Sequence, residues 1–363
     1  MIEVASDDAA VMRRSFLVLT IVTTLLAAAP AYAQDLLFGR FRDYLEALRS
    51  QAGIPGLAAA IVGSNDILWE QALGRQDIER SIATRPDTPF HLDGLTQVFT
   101  TSLVLRCVEE GRLSLDDRVG KFAADGPDAD ATVRQLLTHT SGEAPNLTFS
   151  YQPERLQPLK AVVRACADGS YRKTLASLSE RLAMIDSVPG PDVIGLVPPA
   201  EGIPTSAQVE RYTPVLERLA KPYAVDQQRR ASVSNYTVTT LTPASGLIST
   251  VRDVAQFYLA LRNGVLVRPE TLATAWQPPI GADGQRLPHG LGWFVQSYSG
   301  TTVIWQFGLS ANASSSLAIT IPARGLTVIL LANSDGLAKP FQLSAGDVTA
   351  SPFGRVFLSL FAR

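Results

Sequence analysis

Residues 95–110 are apolar nearly all round: Leu95, Val98, Phe99, Leu103, Val104, Leu105, Cys107 and Val108 leave little polar face, and Gly111 closes the run. A helix with one apolar stripe can lie on a surface. A helix without a polar face has to be enclosed by the rest of its domain. The fold must therefore cover this segment on every side, and the chain is long enough to do it. Its 363 residues are 46% hydrophobic and 18% charged, an ordinary globular balance that excludes a wholly disordered chain. Chains of this size bury roughly three quarters of their unfolded surface. One large domain, or two intimately joined, is the expectation.

Residues 35–51 carry helical spacing, with Gly53 beyond the end. Residues 57–62 and 67–72 read as strands, joined by a hairpin turn at Gly63-Ser64-Asn65-Asp66. A short helix at 132–137 stops at Thr140-Ser141-Gly142. Residues 143–242 are rich in Pro, Arg and Gln and predict helices at 158–168, 173–184 and 206–219, with a proline-broken loop at 189–204. Residues 244–263 read as one helix, entered through Gly246-Leu247-Ile248-Ser249-Thr250. Strand signals then fill 292–298, 302–307, 315–321 and 326–331, and an apolar-faced helix at 353–361 follows. This order implies an α+β fold: an antiparallel sheet completed by both chain ends, flanked by helices, with a mainly helical insert. On that reading residues 34–363 form a single domain, 34–142 and 243–363 its sheet-containing part and 143–242 the insert.

Met12-Arg13-Arg14, an apolar run at 16–29, Pro30 and Ala31-Tyr32-Ala33 have the three parts of a secretory signal. Residues 1–33 are expected to be removed, with translation starting at Met12 because residues 1–11 are acidic. The run is short for a membrane span. The mature chain from Gln34 is expected to be soluble and exported to a bacterial periplasm or beyond. An oxidising compartment permits a Cys107–Cys166 bond without dictating it. The formal net charge is −2, with 32 Lys+Arg against 34 Asp+Glu, which argues against a nucleic-acid partner. Two distant cysteines and three scattered histidines (His91, His139, His289) give no metal-ligand spacing, and no cofactor is expected.

Six blocks carry the functional signal. They are Pro89-Phe90-His91-Leu92-Asp93-Gly94-Leu95-Thr96-Gln97-Val98-Phe99-Thr100, then Val108-Glu109-Glu110-Gly111-Arg112-Leu113, then Leu136-Leu137-Thr138-His139-Thr140-Ser141-Gly142. Gly246-Leu247-Ile248-Ser249-Thr250, Gly290-Leu291-Gly292-Trp293 and Leu331-Ala332-Asn333-Ser334 complete them. In this order they resemble the serine β-lactamase and D,D-peptidase superfamily, nearest its class C β-lactamase and esterase branch, over residues 36–361. The resemblance implies a Ser-x-x-Lys pair one helical turn apart, so that the amine can take the hydroxyl proton. It also implies a Tyr-x-Asn or Ser-x-Asn segment and a strand carrying Lys-Thr-Gly or His-x-Gly. His139 falls in a block that is scaffold in that family.

At the family's motif positions this chain departs from the pattern. The first motif reads Gly94-Leu95-Thr96-Gln97, with no side chain at the nucleophile and a neutral amide at the base. Thr96 is no substitute, since two residues along a helix is about 200° round. The second reads Tyr151-Gln152-Pro153 and the third Gln306-Phe307-Gly308. Ser234-Asn235 lies far downstream of the usual place, and the five lysines (Lys121, Lys160, Lys173, Lys221, Lys339) match no motif. The resemblance therefore implies a catalytically inactive homologue whose cleft binds a peptidoglycan-like or other acyl or carboxylate ligand noncovalently. Gly94, Gln97, Tyr151, Gln306, Gly308 and Leu309 are its candidate ligand-binding residues. The N–H groups of Gly94 and Leu309 would stand at the oxyanion site, and Gly94 is expected to vacate the volume of a hydroxymethyl group. An active β-lactamase, esterase or D,D-peptidase rearranged around Tyr151 and Asp93 is the second reading; a structural or vestigial protein is the third.

Overall fold

The computed structural model describes residues 34–126, 128–142 and 147–362; the expected signal segment lies outside them. The chain divides after Leu45 into two units, Met1–Leu45 and Glu46–Arg363. Helix α1 occupies residues 34–52. In chain order there follow β1 Gly56–Val62, β2 Ile67–Asp77, β3 Ile82–Ala83, β4 Phe90–His91, α2 Thr96–Glu109, α3 Val133–Leu137, α4 Leu159–Cys166 and α5 Tyr171–Arg181. The middle of the chain gives β5 Val188–Pro189, α6 Ser206–Glu217, β6 Tyr223–Val225, β7 Ala231–Val233, β8 Leu247–Ser249, α7 Val251–Arg262 and α8 Pro269–Ala275. The last part gives β9 Phe294–Tyr298, β10 Thr301–Ser310, β11 Ser314–Ile321, β12 Leu326–Ala332 and α9 Pro352–Phe361.

Seven strands form the main sheet in the order β3-β2-β1-β12-β11-β10-β9. The described pairings are antiparallel, and the expected strands 67–72, 302–307, 315–321 and 326–331 all lie in this sheet. β1 is buried along all seven residues. Ala58 and Ala60 sit opposite Leu331 and Ile329, and these small side chains leave room for α7 to pack on the same strands. Helix α2 is enclosed as its composition requires, with eleven of fourteen residues buried. Its polar positions are satisfied internally: Thr100 Oγ1 donates to the Pro243 carbonyl at 2.7 Å and Ser102 Oγ to the Val98 carbonyl at 2.8 Å. Phe99 stacks on Phe257 of α7 at 3.9 Å, and a Cys107–Cys166 disulfide ties α2 to α4.

Local spacing misplaced some boundaries. Residues 247–249 are strand, not helix entrance: β8 lies between β4 and β5 in a small second sheet. Helix α7 begins only after Thr250, whose side chain accepts from the Asp253 N–H at 3.1 Å. Non-local pairing and this cap override the helical periodicity of 244–250. β10 runs to Ser310, past the expected 307, which keeps Gly308 and Leu309 extended. The insert holds helices α4, α5 and α6, the short strand β5 and a β6–β7 ribbon. Among the described residues no helix is long and apolar enough to cross a membrane.

Candidate functional site

Asp93, Gly94 and Leu95 make one 3-10 turn that runs straight into α2, so Gly94 stands at the helix entrance and Gln97 on its first turn. β10 passes beside this turn. Its pairing with β11 covers 304–310, whereas its pairing with β9 ends at Trp305. Beyond Trp305 one edge of β10 is therefore unpaired. The Phe307 N–H is on that edge, because it takes the Oε1 of Gln306 at 2.8 Å rather than a strand partner. The two-residue alternation of an antiparallel ladder puts the Leu309 N–H on the same edge.

Tyr151 comes from the irregular segment before a 3-10 turn at Pro153–Leu156, and its ring stacks on Phe307 at 5.3 Å. Its hydroxyl joins a polar chain. Gln97 Nε2 donates to Tyr151 Oη at 2.8 Å, and Tyr151 Oη donates to Gln306 Oε1 at 3.4 Å. His139 Nε2 lies 3.1 Å from Gln97 Oε1, which only its N–H can serve, and Gln306 Nε2 donates to the Gly292 carbonyl at 3.2 Å. Burial lowers His139 to about 3 and pushes Tyr151 above its ordinary value, so near neutral pH both rings are uncharged. His289, buried edge-on to His139, is held well below the usual imidazole range for the same reason.

All six candidate residues are thus brought to one place, but in two layers. Gly94, Tyr151 and Leu309 line a cleft of 680 Å³, together with Phe307, Glu154 and Lys339. Gln97 and Gln306 are buried behind Tyr151. A Cβ on Gly308 would strike the Leu92 carbonyl and Ser316 Oγ, so this glycine is what lets β10 close on the chain before α2.

Gly94 does not leave the space expected of it. A Cβ there would lie 2.6 Å from the Phe307 carbonyl oxygen and 3.3 Å from Tyr151 Oη. Backbone of β10 fills the volume of the missing side chain. Asp93 is no replacement nucleophile: it is fully buried and turned away, accepting from Ser314 Oγ at 2.7 Å, and burial raises it to about 7. Thr96 Oγ1 accepts from the Leu247 N–H at 3.3 Å, away from the cleft, and Ser234 Oγ donates to the Asn312 carbonyl at 2.5 Å. Sequence reasoning passed over Glu154 and Lys339 as cleft residues. Lys339 arrives through short turns after β12, and neither residue carries a spacing signal. Its ammonium donates to Asn312 Oδ1 and pairs with Asp335 Oδ2, both at 2.9 Å.

The family model described as Beta-lactamase matches residues 41–175 and 194–348. Protein flp of Staphylococcus aureus (strain NCTC 8325 / PS 47) is 31% identical over 101 residues, 26% of this chain and 20% of that protein. Penicillin-binding protein 4 of Amycolatopsis lactamdurans is 33% identical over 134 residues, 35% of each chain. The match thus spans about a fifth to a third of these relatives' length. The octameric penicillin-binding protein homologue from Pyrococcus abyssi superposes with a TM-score of 0.70 at 19% identity, over 89% of this chain and 77% of that one. A class C beta lactamase from Rhodobacter sphaeroides does so with a TM-score of 0.63 at 18% identity, over 88% and 99%. At such identities the likeness is one of fold.

Proposed function

The chain belongs to the beta-lactamase family, and from that membership we propose an exported, catalytically inactive homologue that binds the acyl group of a peptidoglycan-like ligand without attacking it. The carrying observation is the Phe307 carbonyl oxygen, 2.6 Å from where any side chain at position 94 would begin. Loss of the nucleophile alone costs a serine hydrolase on the order of 10⁶ in turnover. At the base position Gln97 is bonded to Tyr151 and His139 and cannot accept a proton near neutral pH. Main-chain donors do not depend on those side chains. The N–H groups of Gly94 and Leu309 and the N-terminal end of α2 supply the electrostatic half of an acyl site. The Ala31-Tyr32-Ala33 tripeptide and the Cys107–Cys166 disulfide support export to an oxidising compartment.

Intact mass of the protein before and after incubation with a penicillin tests the absence of acylation. The expected result is an unchanged mass. A stoichiometric adduct on any cleft side chain would establish the active-hydrolase reading in its place.

A further inference from the structure

We infer that the cleft takes an uncharged amide and discriminates against the corresponding carboxylate; this rests on the reading of the cleft as a noncovalent acyl site. The polarity of the groups around Gly94 carries it. On the acyl-site reading two donors face a ligand there: the Leu309 N–H, which alternation puts on the open edge of β10, and the Gly94 N–H, which stands at the helix entrance ahead of the first intrahelical bonds. Beside them stands an acceptor, the Phe307 carbonyl: a residue of an extended strand turns its N–H and C=O to the same edge, and this oxygen lies against Gly94. Tyr151 adds a second acceptor. Its oxygen already receives a proton from Gln97 at 2.8 Å and its own proton has an acceptor in Gln306 Oε1 at 3.4 Å, which leaves a lone pair for a ligand.

A carboxylate has acceptors alone. It would satisfy the two N–H groups and then press its second oxygen and its charge against the oxygens of Phe307 and Tyr151. An amide presents a carbonyl to the two donors and an N–H to those oxygens. Among the described residues that line the cleft, no unopposed side-chain cation compensates the acid. Gln306 is neutral, fully buried and used at both ends of its amide, by Gly292 on one side and by Phe307 and Tyr151 on the other. Lys339 lines the cleft but is held by Asp335 and Asn312, and the carboxylate of Glu154 lines the same cleft.

Calorimetric titration of the full chain near neutral pH, with N-acetyl-D-alanyl-D-alanine and with its C-terminal amide, separates the possibilities. The amide is expected to bind tighter by roughly tenfold or more, the consequence of leaving polar partners unmatched in the acid complex. Gln306→Lys, which restores a cation at this edge, should narrow or invert that ratio, and Glu154→Gln should narrow it. Equal or tighter binding of the acid by the unmodified protein overturns the inference and leaves the acyl-site reading standing. Absence of heat with both peptides overturns the acyl-site reading and this one with it.

Discussion

At the scale of single residues, the contact that matters most is between a missing atom and a backbone oxygen. Even one methyl group at Gly94 has to displace the Phe307 carbonyl, and backbone yields less readily than the end of a side chain. Gly94→Ala is expected to destabilise the protein by about 1–3 kcal/mol, the usual cost of overpacking, read as a lower urea midpoint at unchanged slope. The double variant Gly94→Ser/Gln97→Lys should not regain acylation, as tested by penicillin labelling. Leu309→Pro removes an N–H that faces the cleft instead of the ladder, so it should weaken acyl-ligand binding with little effect on the fold. Asp93 provides a pH signature. Its carboxyl is raised to about 7 by burial, against about 3.9 when unfolded. The unfolded chain therefore releases that proton first, and its contribution makes stability fall as pH rises from about 4 to about 7. Asp93→Asn should gain on the unmodified protein across that window, by up to ~4 kcal/mol, in denaturation series at successive pH values. His91 and His139, lowered by burial to about 4 and about 3, act in the opposite sense, so only this difference isolates Asp93. The convergence of Gly94, Gln97, Tyr151, Gln306 and Leu309 was legible in ordered motifs. The position of the Phe307 oxygen was not, since it depends on how closely a strand approaches a helix entrance.

Among the elements, α2 was the most legible, because burial on all sides leaves its mark directly on composition. The β8 segment was the least. Leu247 and Ile248 are apolar and suit helix or strand equally, and their pairing with residues 90–91 and 188–189 decides the matter from a distance. β10 belongs to the same class: Gly308 reads locally as a strand end, yet it is kept because close approach demands it. The disulfide between α2 and α4 was an open question in the sequence, as two cysteines 59 residues apart carry no geometry. It constrains the insert against the central helix, and Cys107→Ser/Cys166→Ser should lower stability by about 2–4 kcal/mol, measured against the same urea reference.

For the whole molecule, the α+β architecture and the return of the last third to the first third's sheet followed from the order of the strand and helix signals. The insert kept its helices, and α8 was not foreseen because seven residues give too few turns for a periodicity. The decisive pairing is β1 with β12, Leu57 opposite Ala332 and Val62 opposite Thr327, in the middle of the sheet rather than at its margin. A chain ending before Leu326 should accumulate as insoluble protein, checked by comparing soluble yields of truncated and full-length forms. A ribosome supplies the two strands in sequence, roughly 270 residues apart. At about 5–20 residues per second the first strand waits tens of seconds for its neighbour. During that interval a fully apolar ribbon is paired on its β2 side alone and its other edge stays open, so the expected limit on how much protein a cell can make is chaperone supply rather than the stability of the finished sheet.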